Sequence, residues 1–299
     1  MMLKNFGQME QFVREQSGKK RVALAAAHDA DALGSLMMAV DRGIAEAILI
    51  GRRKEIVRVL DEMGKDAGDF RIIEEEDDRA AADKAVELVH RGEADMPMKG
   101  LMHTSTFMKA ILDKEKGLKE DGNLLSQASV FEIPEKDRFL IISDCAVNID
   151  PDLETKIKIT ENAAALAHTL GIEQPKIAVL SAVEVVNPKI RSTVDAAAMR
   201  ERLSDRYLID GPLALDNAID EAAAPHKGIE SPVAGNADIL IVPDLWSGNI
   251  FSKGLVFFAH LRSAGTLNGL KAPVVMSSRT DTVENKYLSI LTAVLQTIR

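Results

Sequence analysis

Short apolar runs alternate with helical spacing through residue 126. Four of these runs have the length of buried strands and end in turn residues. The predicted strands are 21–27, 47–50, 70–73 and 95–98, and the predicted helices end near 45, 65, 91 and 117. Such alternation is typical of a mostly parallel sheet with helices on both faces. The pattern therefore predicts an α/β fold.

The pattern changes at residue 127. Two apolar runs, 128–133 and 138–143, are so close together that they suit an antiparallel hairpin rather than a crossover. The later predicted strands are 176–180, 239–242 and 273–276, and the later predicted helices are 152–170, 192–203, 213–224, 255–264 and 282–298. The hairpin is the basis for two predicted domains, 1–126 with 277–299, and 127–276.

The stretch 231–254 has an order of residue types that a scaffold alone does not readily explain. Its apolar strand ends at Pro243, which cannot continue a sheet ladder. The polar residues that follow are expected at the carboxyl end of the strand, where open α/β sheets bind ligands. They are Asp244, Ser247, Gly248 and Asn249. The alternative is that Asp244 and Ser247 only cap the next helix.

A second polar cluster follows the strand 95–98. Lys99 and Gly100 lead through His103 into three consecutive hydroxyl residues at a predicted helix start, Thr104, Ser105 and Thr106. Unpaired helix N–H groups, the positive end of the helix and a lysine together can bind an anion. The alternative is an ordinary Ser/Thr cap, and the order of residues is not that of a Walker loop.

Two further clusters follow predicted strands. In residues 277–281, Arg279 offers a permanently charged donor fork that could hold a phosphate or an oxyanion. The alternative is that Asp281 and Glu284 form a capping box beside an ordinary surface arginine. Asp144 and Asn148 belong to the other cluster, residues 143–148, whose signal is weak.

The residues argue against several other kinds of site. The single cysteine, Cys145, allows no disulfide within the chain and is interpreted as a packed structural thiol. The six histidines show no metal-ligand spacing, so no metal site is predicted. The glycine fingerprint of dinucleotide-binding folds is missing as well.

Composition narrows the choice of partners. The chain of 299 residues has 37 basic and 46 acidic residues, a formal charge of −9 that argues against a general nucleic-acid partner. No apolar run approaches the length of a membrane span, and the first residues have no signal-peptide core. We therefore expect a cytoplasmic protein that binds neither nucleic acid nor membrane.

Several of these clusters, in this order along the chain, resemble the phosphate acetyltransferase and phosphate butyryltransferase family. The stretch 231–250 is similar to the family's S-P-V-A-G-x-A-D-x-L-x-x-P-D-x-x-x-G-N-x element. Residues 211–216, which end at Asp216, resemble its G-P-L-x-x-D, and residues 144–148 resemble its D-x-A-x-N. Ser278 and Arg279 resemble its C-terminal Ser-Arg pair. The shorter length and residues 98–104 and 278–281 look closer to the butyryl branch.

The resemblance implies a reversible reaction, acyl-CoA plus phosphate giving acyl phosphate plus CoA. It implies a cleft between two α/β domains of the isocitrate/isopropylmalate dehydrogenase-like fold, a homodimer, and a role in short-chain fatty acid metabolism. CoA, acyl phosphate and phosphate would be substrates, with no metal and no permanently bound cofactor.

The resemblance also implies roles for particular residues. Arg279 and Ser278 would stabilise the carbonyl oxygen as it becomes an oxyanion. The helix start at 104–106 would receive the phosphoryl group, together with Lys99, Gly100 and His103. The substrate-binding set would be completed by Asp144, Asn148, Asp216, Asp244, Gly248 and Asn249.

One position departs from the family pattern. In the acetyl branch a carboxylate six residues after the C-terminal arginine is the proposed base for the CoA thiol, whereas this chain has Asn285 there. An amide cannot take that proton. Asp281 or Glu284 could replace it, or a cationic neighbour could suffice for a thiol that is partly ionised near neutrality.

Three other functions stay open at this point. The first is a phosphate acetyltransferase, which differs only in acyl-chain length. The second is a non-catalytic module of the same fold that senses acyl-CoA, and the departure at Asn285 makes loss of activity conceivable. The third, a metal-dependent dehydrogenase on the same fold, is disfavoured because no acidic metal cluster is evident.

Overall fold

The computed structural model describes residues 1–16, 18–120 and 122–299. The chain forms two compact units. We call Phe6–Asn123 with Ala264–Arg299 the N-terminal unit, and Met1–Asn5 with Leu124–Ser263 the central unit. Each is an α/β structure, as the alternating pattern predicts.

The N-terminal unit begins with a repeated strand–helix pattern. Its elements up to Asn123 are α1 (Phe6–Glu15), β1 (Lys20–Ala25), α2 (Ala30–Asp41), β2 (Ala45–Gly51), α3 (Arg53–Glu62), β3 (Arg71–Glu74), α4 (Asp78–His90), β4 (Met96–Lys99) and α5 (Thr104–Ile111). The helix α1 was not predicted, although Phe6, Met9 and Val13 form a buried stripe at helical spacing.

The four strands of this unit form one parallel sheet in the order β3-β2-β1-β4. The strand order reverses between β1 and β4, and Ala25 and Lys99 lie side by side at the carboxyl ends of these two strands. Open α/β sheets bind ligands outside such a reversal. The register therefore places Lys99 where a binding site is expected.

The central unit contains the predicted hairpin and a second series of strands and helices. Its elements are β5 (Ser126–Ile133), β6 (Arg138–Ser143), α6 (Leu153–Thr169), β7 (Lys176–Leu180), α7 (Arg191–Leu203), β8 (Leu208–Leu213), α8 (Leu215–Ile219), α9 (Ala223–His226), β9 (Ile239–Ile241) and α10 (Leu245–Phe257). The chain then continues through β10 (Ser263–Asn268) to the last helix of the N-terminal unit, α11 (Val283–Gln296).

The second sheet has the order β10-β5-β6-β9-β7-β8. The strands β5 and β6 are antiparallel, which confirms the predicted hairpin, whereas β6, β9, β7 and β8 run parallel. Ser143 and Ile241 pair at the carboxyl ends of β6 and β9. The polar residues that follow these two strands are therefore neighbours.

The predicted helix 255–264 is wrong. The helix α10 begins ten residues earlier, at Leu245, and residues 263–268 are a strand. Two glycines, Gly248 and Gly254, lower the helix propensity of this segment, and packing overrides that propensity.

Two other predicted elements are interrupted. Residues 273–276 form only single bridges at Val274 and Val275 instead of a strand. Residues 213–224 are not one helix, because Asp220 has an extended backbone and its carboxylate accepts a hydrogen bond from the N–H of Ala222 at 2.7 Å. Such a local side-chain bond competes with continuation of a helix.

A helix that crosses a membrane has to be both long and apolar. No helix of the described residues has the length and the apolar character together.

The two glycines of α10 have opposite surroundings. A Cβ at Gly248 would lie 2.5 Å from the carbonyl oxygen of Asp144 and 3.2 Å from the Cα of Cys145. A Cβ at Gly254 would meet nothing within 4 Å. Glycine is therefore a steric requirement at the first position only.

We predict that Gly248→Ala lowers the free energy of unfolding by about 1–3 kcal/mol, because backbone has to move to admit the methyl group. The matched change Gly254→Ala should raise it by about 0.5–1 kcal/mol, since alanine is the better helix former. Denaturant unfolding followed by circular dichroism measures both. Equal midpoints for the two variants would contradict the close contact at Gly248.

Candidate active site

The carboxyl end of β4 carries a buried lysine. The Lys99 ammonium donates to the carbonyl oxygens of Gly100 at 3.2 Å and Met102 at 3.5 Å. An ammonium has three N–H donors, and no third partner of Lys99 is found among the described residues. Lys99 thus fixes the turn that leads into α5 and keeps one donor for a ligand.

Gly100 is needed here for space rather than for flexibility. A Cβ at this position would lie 2.3 Å from the carbonyl oxygen of Ala26 and 2.6 Å from that of Ala25. The Gly100 N–H donates to the Ala25 carbonyl at 2.8 Å, so it is already used. The Gly100 N–H is therefore not available to an anion. Gly100 can contribute to anion binding only indirectly, through the path of the backbone.

The first turn of α5 is open to a ligand. His103 is the N-cap residue but its side chain makes no capping hydrogen bond, and Thr104 and Ser105 are exposed. The N–H groups of Thr106 and Phe107 bond to the His103 carbonyl, whereas those of Thr104 and Ser105 have no partner among the described residues. The ordinary cap considered above is not formed, and the helix start keeps donors for an anion.

The loop 277–282 places Arg279 beside this helix start. A guanidinium nitrogen of Arg279 lies 3.3 Å from Nδ1 of His103. Arg279 is exposed, and it forms no ion pair with a carboxylate among the described residues. The structure thus joins two clusters that are 176 residues apart in the sequence.

Ser278 and Asp281 stabilise the same loop. The Asp281 carboxylate accepts a hydrogen bond from the Ser278 N–H at 2.7 Å, and the Ser278 hydroxyl lies 3.1 Å from that of Thr280. The capping box proposed for Asp281 and Glu284 is not formed, because Thr282 is the N-cap of α11 and accepts from the Asn285 N–H at 3.1 Å. Glu284 lies exposed in the first turn of α11.

The Lys99 ammonium lies near other positive charges. Burial lowers the pKa of Lys99, and the nearby charge of Arg279 lowers it further. Lys286 acts in the same direction, whereas Asp29 at the start of α2 opposes them. Because burial and like charges both disfavour the ammonium form, an anionic ligand would relieve the repulsion.

Lys286 was not predicted as a functional residue. It lies on the buried face of α11, where its ammonium donates to the backbone carbonyls of Arg279 and Asp281. The sequence signal for Lys286 is its position next to the apolar stripe of an amphipathic helix. Its contact with the loop could not be read from the sequence.

The loop after β6 in the central unit is organised by one carboxylate. Asp144 is buried, and its two oxygens accept four hydrogen bonds. The donors are the N–H groups of Gln127, Ala146 and Val147 and the side-chain amide of Asn148. The carboxylate is therefore fully used by its own loop and by β5, and it holds the side chain of Asn148.

The start of α10 packs against that loop. Asp244 is the N-cap, and its carboxylate accepts from the N–H and from the hydroxyl of Ser247, both at 2.8 Å. The side-chain amide of Asn249 donates to the Cys145 carbonyl at 3.1 Å, beside the close approach at Gly248. The capping alternative for Asp244 and Ser247 is thus present in the structure.

Asp216 has different partners. It is exposed at the start of α8 and forms an ion pair with Lys227 at 2.9 Å, and Lys227 also pairs with Glu184. Within the described residues, no hydrogen bond or ion pair connects Asp216 to the Asp144 loop.

Cys145 is a buried thiol. Burial raises the pKa of Cys145 to about 12, and the charge of Asp144 acts in the same direction. Because only the thiolate is a good nucleophile, Cys145 is inert near neutral pH, in agreement with its interpretation as a structural residue. No group of three metal-binding side chains is present among the described residues either.

The sequence was compared with known families and proteins. A model of the phosphate acetyl/butaryl transferase family matches residues 79–294, which is more than half of the chain. The chain belongs to this family. As a member of the phosphate acetyl/butaryl transferase family, it contains within the matched range the Lys99 turn, the start of α5 and the Arg279 loop.

Individual relatives agree with this assignment. The chain is 45% identical to the phosphate butyryltransferase of Clostridium acetobutylicum, over 98% of this chain and 98% of that protein. It is 42% identical to the phosphate acetyltransferase of Thermotoga maritima, over 94% of this chain and 97% of that protein. The crystal structure of a branched-chain phosphotransacylase from Enterococcus faecalis has a TM-score of 0.83 and 35% identity, covering 93% and 98% of the two chains.

Proposed function

We propose that this protein transfers a short-chain acyl group between CoA and inorganic phosphate, with butyryl as the preferred group. Its family and its 45% identity to a phosphate butyryltransferase support this function. The structural observation that carries it is the cationic site formed by Lys99, Arg279 and the open start of α5. A phosphate needs such a site, and no carboxylate of the described residues pairs with Arg279 there.

The residues suggest how the reaction proceeds. A phosphate bound at Thr104 and Ser105 attacks the thioester carbonyl carbon, and a new C–O bond forms. The carbonyl oxygen becomes an oxyanion that Arg279 and Ser278 stabilise. Collapse of the intermediate breaks the C–S bond, and the CoA thiolate leaves and takes up a proton.

The reverse reaction requires loss of the thiol proton. Asp281 and Glu284 are the two candidate bases, since the amide of Asn285 cannot accept that proton. The Asp281 carboxylate already accepts from the Ser278 N–H, so its proton transfer would be coupled to the loop. Glu284 is exposed in the first turn of α11.

The polar residues of the central unit receive supporting roles. Asp144, Asn148, Asp244 and Asn249 are bonded mainly to their own loop and helix start, so we propose that they shape substrate binding without touching the reacting atoms. Gly248 permits the close packing beneath them. Asp216 stays a predicted substrate-binding residue.

Further expectations accompany the proposal. The isocitrate/isopropylmalate dehydrogenase-like fold with its cleft and the cytoplasmic location stay predictions. We also expect no permanently bound cofactor, with CoA and acyl phosphate as the exchanging substrates and no nucleic acid or membrane as partner. The domain division at residues 126 and 276 likewise stays a prediction.

The first experiment measures thioester formation from CoA and acyl phosphates of two to five carbons. We expect turnover with a maximum at butyryl phosphate, and a decrease in kcat of about 10²–10³ in Arg279→Ala because an oxyanion donor is lost. Arg14→Ala removes an exposed arginine of α1 and serves as the control, which should keep wild-type kcat.

The outcomes separate the competing functions. A maximum at acetyl phosphate would identify a phosphate acetyltransferase instead. Saturable CoA binding without turnover of any chain length would identify the sensing module. Activity that a chelator abolishes would argue against the metal-free mechanism.

The lowered pKa of Lys99 predicts an alkaline limit to phosphate binding. Its ammonium should lose its proton below the ordinary lysine value of about 10.4, so KM for phosphate should rise as pH rises through that lowered pKa. Arginine stays charged at every accessible pH, so KM for phosphate should not rise at alkaline pH in Lys99→Arg. Identical alkaline limbs for the two proteins would exclude Lys99 as the titrating group.

A homodimer is proposed as well. The helix α10 exposes Trp246, Ile250 and Phe257 at helical spacing, and exposed apolar faces of this kind are typical of association sites. We expect light scattering to give twice the chain mass for the wild type and a shift toward monomer for Ile250→Glu. Lys189→Glu, an exposed change outside α10, should leave the mass unchanged. A monomeric wild type at micromolar concentration would overturn the proposal.

A further inference from the structure

Lys286 is a buried charge in an apolar helix. Its side chain is 4% exposed, and its neighbours along α11, from Asn285 to Leu295, are all buried. Among the described residues, its ammonium forms an ion pair only with Asp31, at 4.0 Å, and the Asp31 side chain is itself 58% exposed. Burial of an ammonium is unfavourable unless hydrogen bonds compensate, so its partners identify its role.

Those partners are the backbone of the Arg279 loop. The Lys286 ammonium donates to the carbonyl oxygen of Arg279 at 3.5 Å and to that of Asp281. Inside the loop, Ser278 bonds to Thr280 and Asp281. Lys286 thus bonds to both ends of the segment 279–281.

This attachment bears on the guanidinium of Arg279. Its backbone carbonyl is held by Lys286, while its side chain reaches His103 at the start of α5. Without the ammonium, the carbonyl groups of Arg279 and Asp281 would lose a charged donor, and the segment 279–281 would be held less firmly against α11. Arg279 would then sample positions away from α5.

We infer that Lys286 is a positioning residue for the acyl transfer, which places Arg279 by binding the carbonyl groups of its loop. This inference rests on the function proposed above. It assigns Lys286 no contact with substrate. Arg279 would supply the donor to the oxyanion, and Lys286 would determine where that donor lies.

The decisive experiment is a double-mutant cycle. Lys286→Met has a similar volume but neither the charge nor the donors, and we expect it to lower kcat by about 10- to 100-fold through misplacement of Arg279. Arg279→Ala with Lys286→Met should be no slower than Arg279→Ala alone, within about threefold, because Lys286 acts through Arg279. If the decrease in kcat of the double variant equals the product of the two single decreases, the inference is overturned.

The matched control is a second buried lysine. Lys156 in the central unit is 4% exposed at its side chain and pairs with Asp195 at 2.6 Å. Lys156→Met should lower thermal stability, since it removes an ion-pair partner of the half-buried Asp195 carboxylate. Below its unfolding temperature, this variant should keep wild-type kcat. In the double variant with Arg279→Ala, the two effects on kcat should multiply.

A second measurement does not depend on activity. Trypsin cleaves after arginine, and the Arg279 carbonyl that belongs to the susceptible peptide bond is one that Lys286 binds. Cleavage between residues 279 and 280, mapped by mass spectrometry, should be about tenfold faster in Lys286→Met than in the wild type or in Lys156→Met. Equal rates in all three proteins would overturn the attachment.

The two measurements distinguish failure of the proposed function from failure of the inference about Lys286. If the wild type transfers no acyl group, the proposed function fails, and the cleavage rates still decide whether Lys286 holds the loop. If Lys286→Met does not fold, Lys286→Gln, which keeps amide donors but no charge, takes its place in both measurements. A Gln variant with wild-type kcat and wild-type cleavage would show that the ammonium is not required.

Discussion

The N-terminal unit depends on the parallel pairing of β1 with β4. This pairing brings Ala25 next to Lys99 and lets the Gly100 N–H bond to the Ala25 carbonyl. A side chain at Gly100 would collide with backbone oxygen atoms, so only glycine fits at this turn. That turn determines the direction in which α5 begins. A shift of one residue in this register would turn Lys99 to the opposite face of the sheet.

Two lysines of this unit are buried with backbone carbonyls rather than carboxylates as their close partners. Lys99 binds the carbonyls of the turn before α5, and Lys286 binds those of the loop that carries Arg279. A carbonyl satisfies an N–H donor but does not neutralise the charge. Within the part of the chain that the structure describes, the two ammonium charges are therefore offset only by Asp29 near Lys99 and by the half-exposed Asp31 at 4.0 Å from Lys286. Such a preorganised site needs little rearrangement when charge develops during a reaction.

The sequence was sufficient for the elements whose signals are local. The hairpin could be predicted because its four-residue connection excludes a crossover. The grouping of Lys99 with the hydroxyls of the helix start could be predicted because these residues are close together in the chain. The predicted helix 255–264 began ten residues too late, although the capping alternative at Asp244 indicated the observed start, because Gly248 is required by a contact with Asp144 that propensity cannot express. Lys286 was missed for a related reason, since its partners are carbonyls of a loop whose path no side-chain pattern encodes.

Cys145 has a consequence for a protein that handles thioesters. Exchange of an acyl group between CoA and a protein thiol, or formation of a mixed disulfide with CoA, requires a thiolate that solvent can reach. The chain has no other cysteine, and this one is enclosed and held as the thiol. Repeated exposure to acyl-CoA should therefore leave the protein free of self-acylation, and oxidation of the CoA pool should not inactivate it through cysteine.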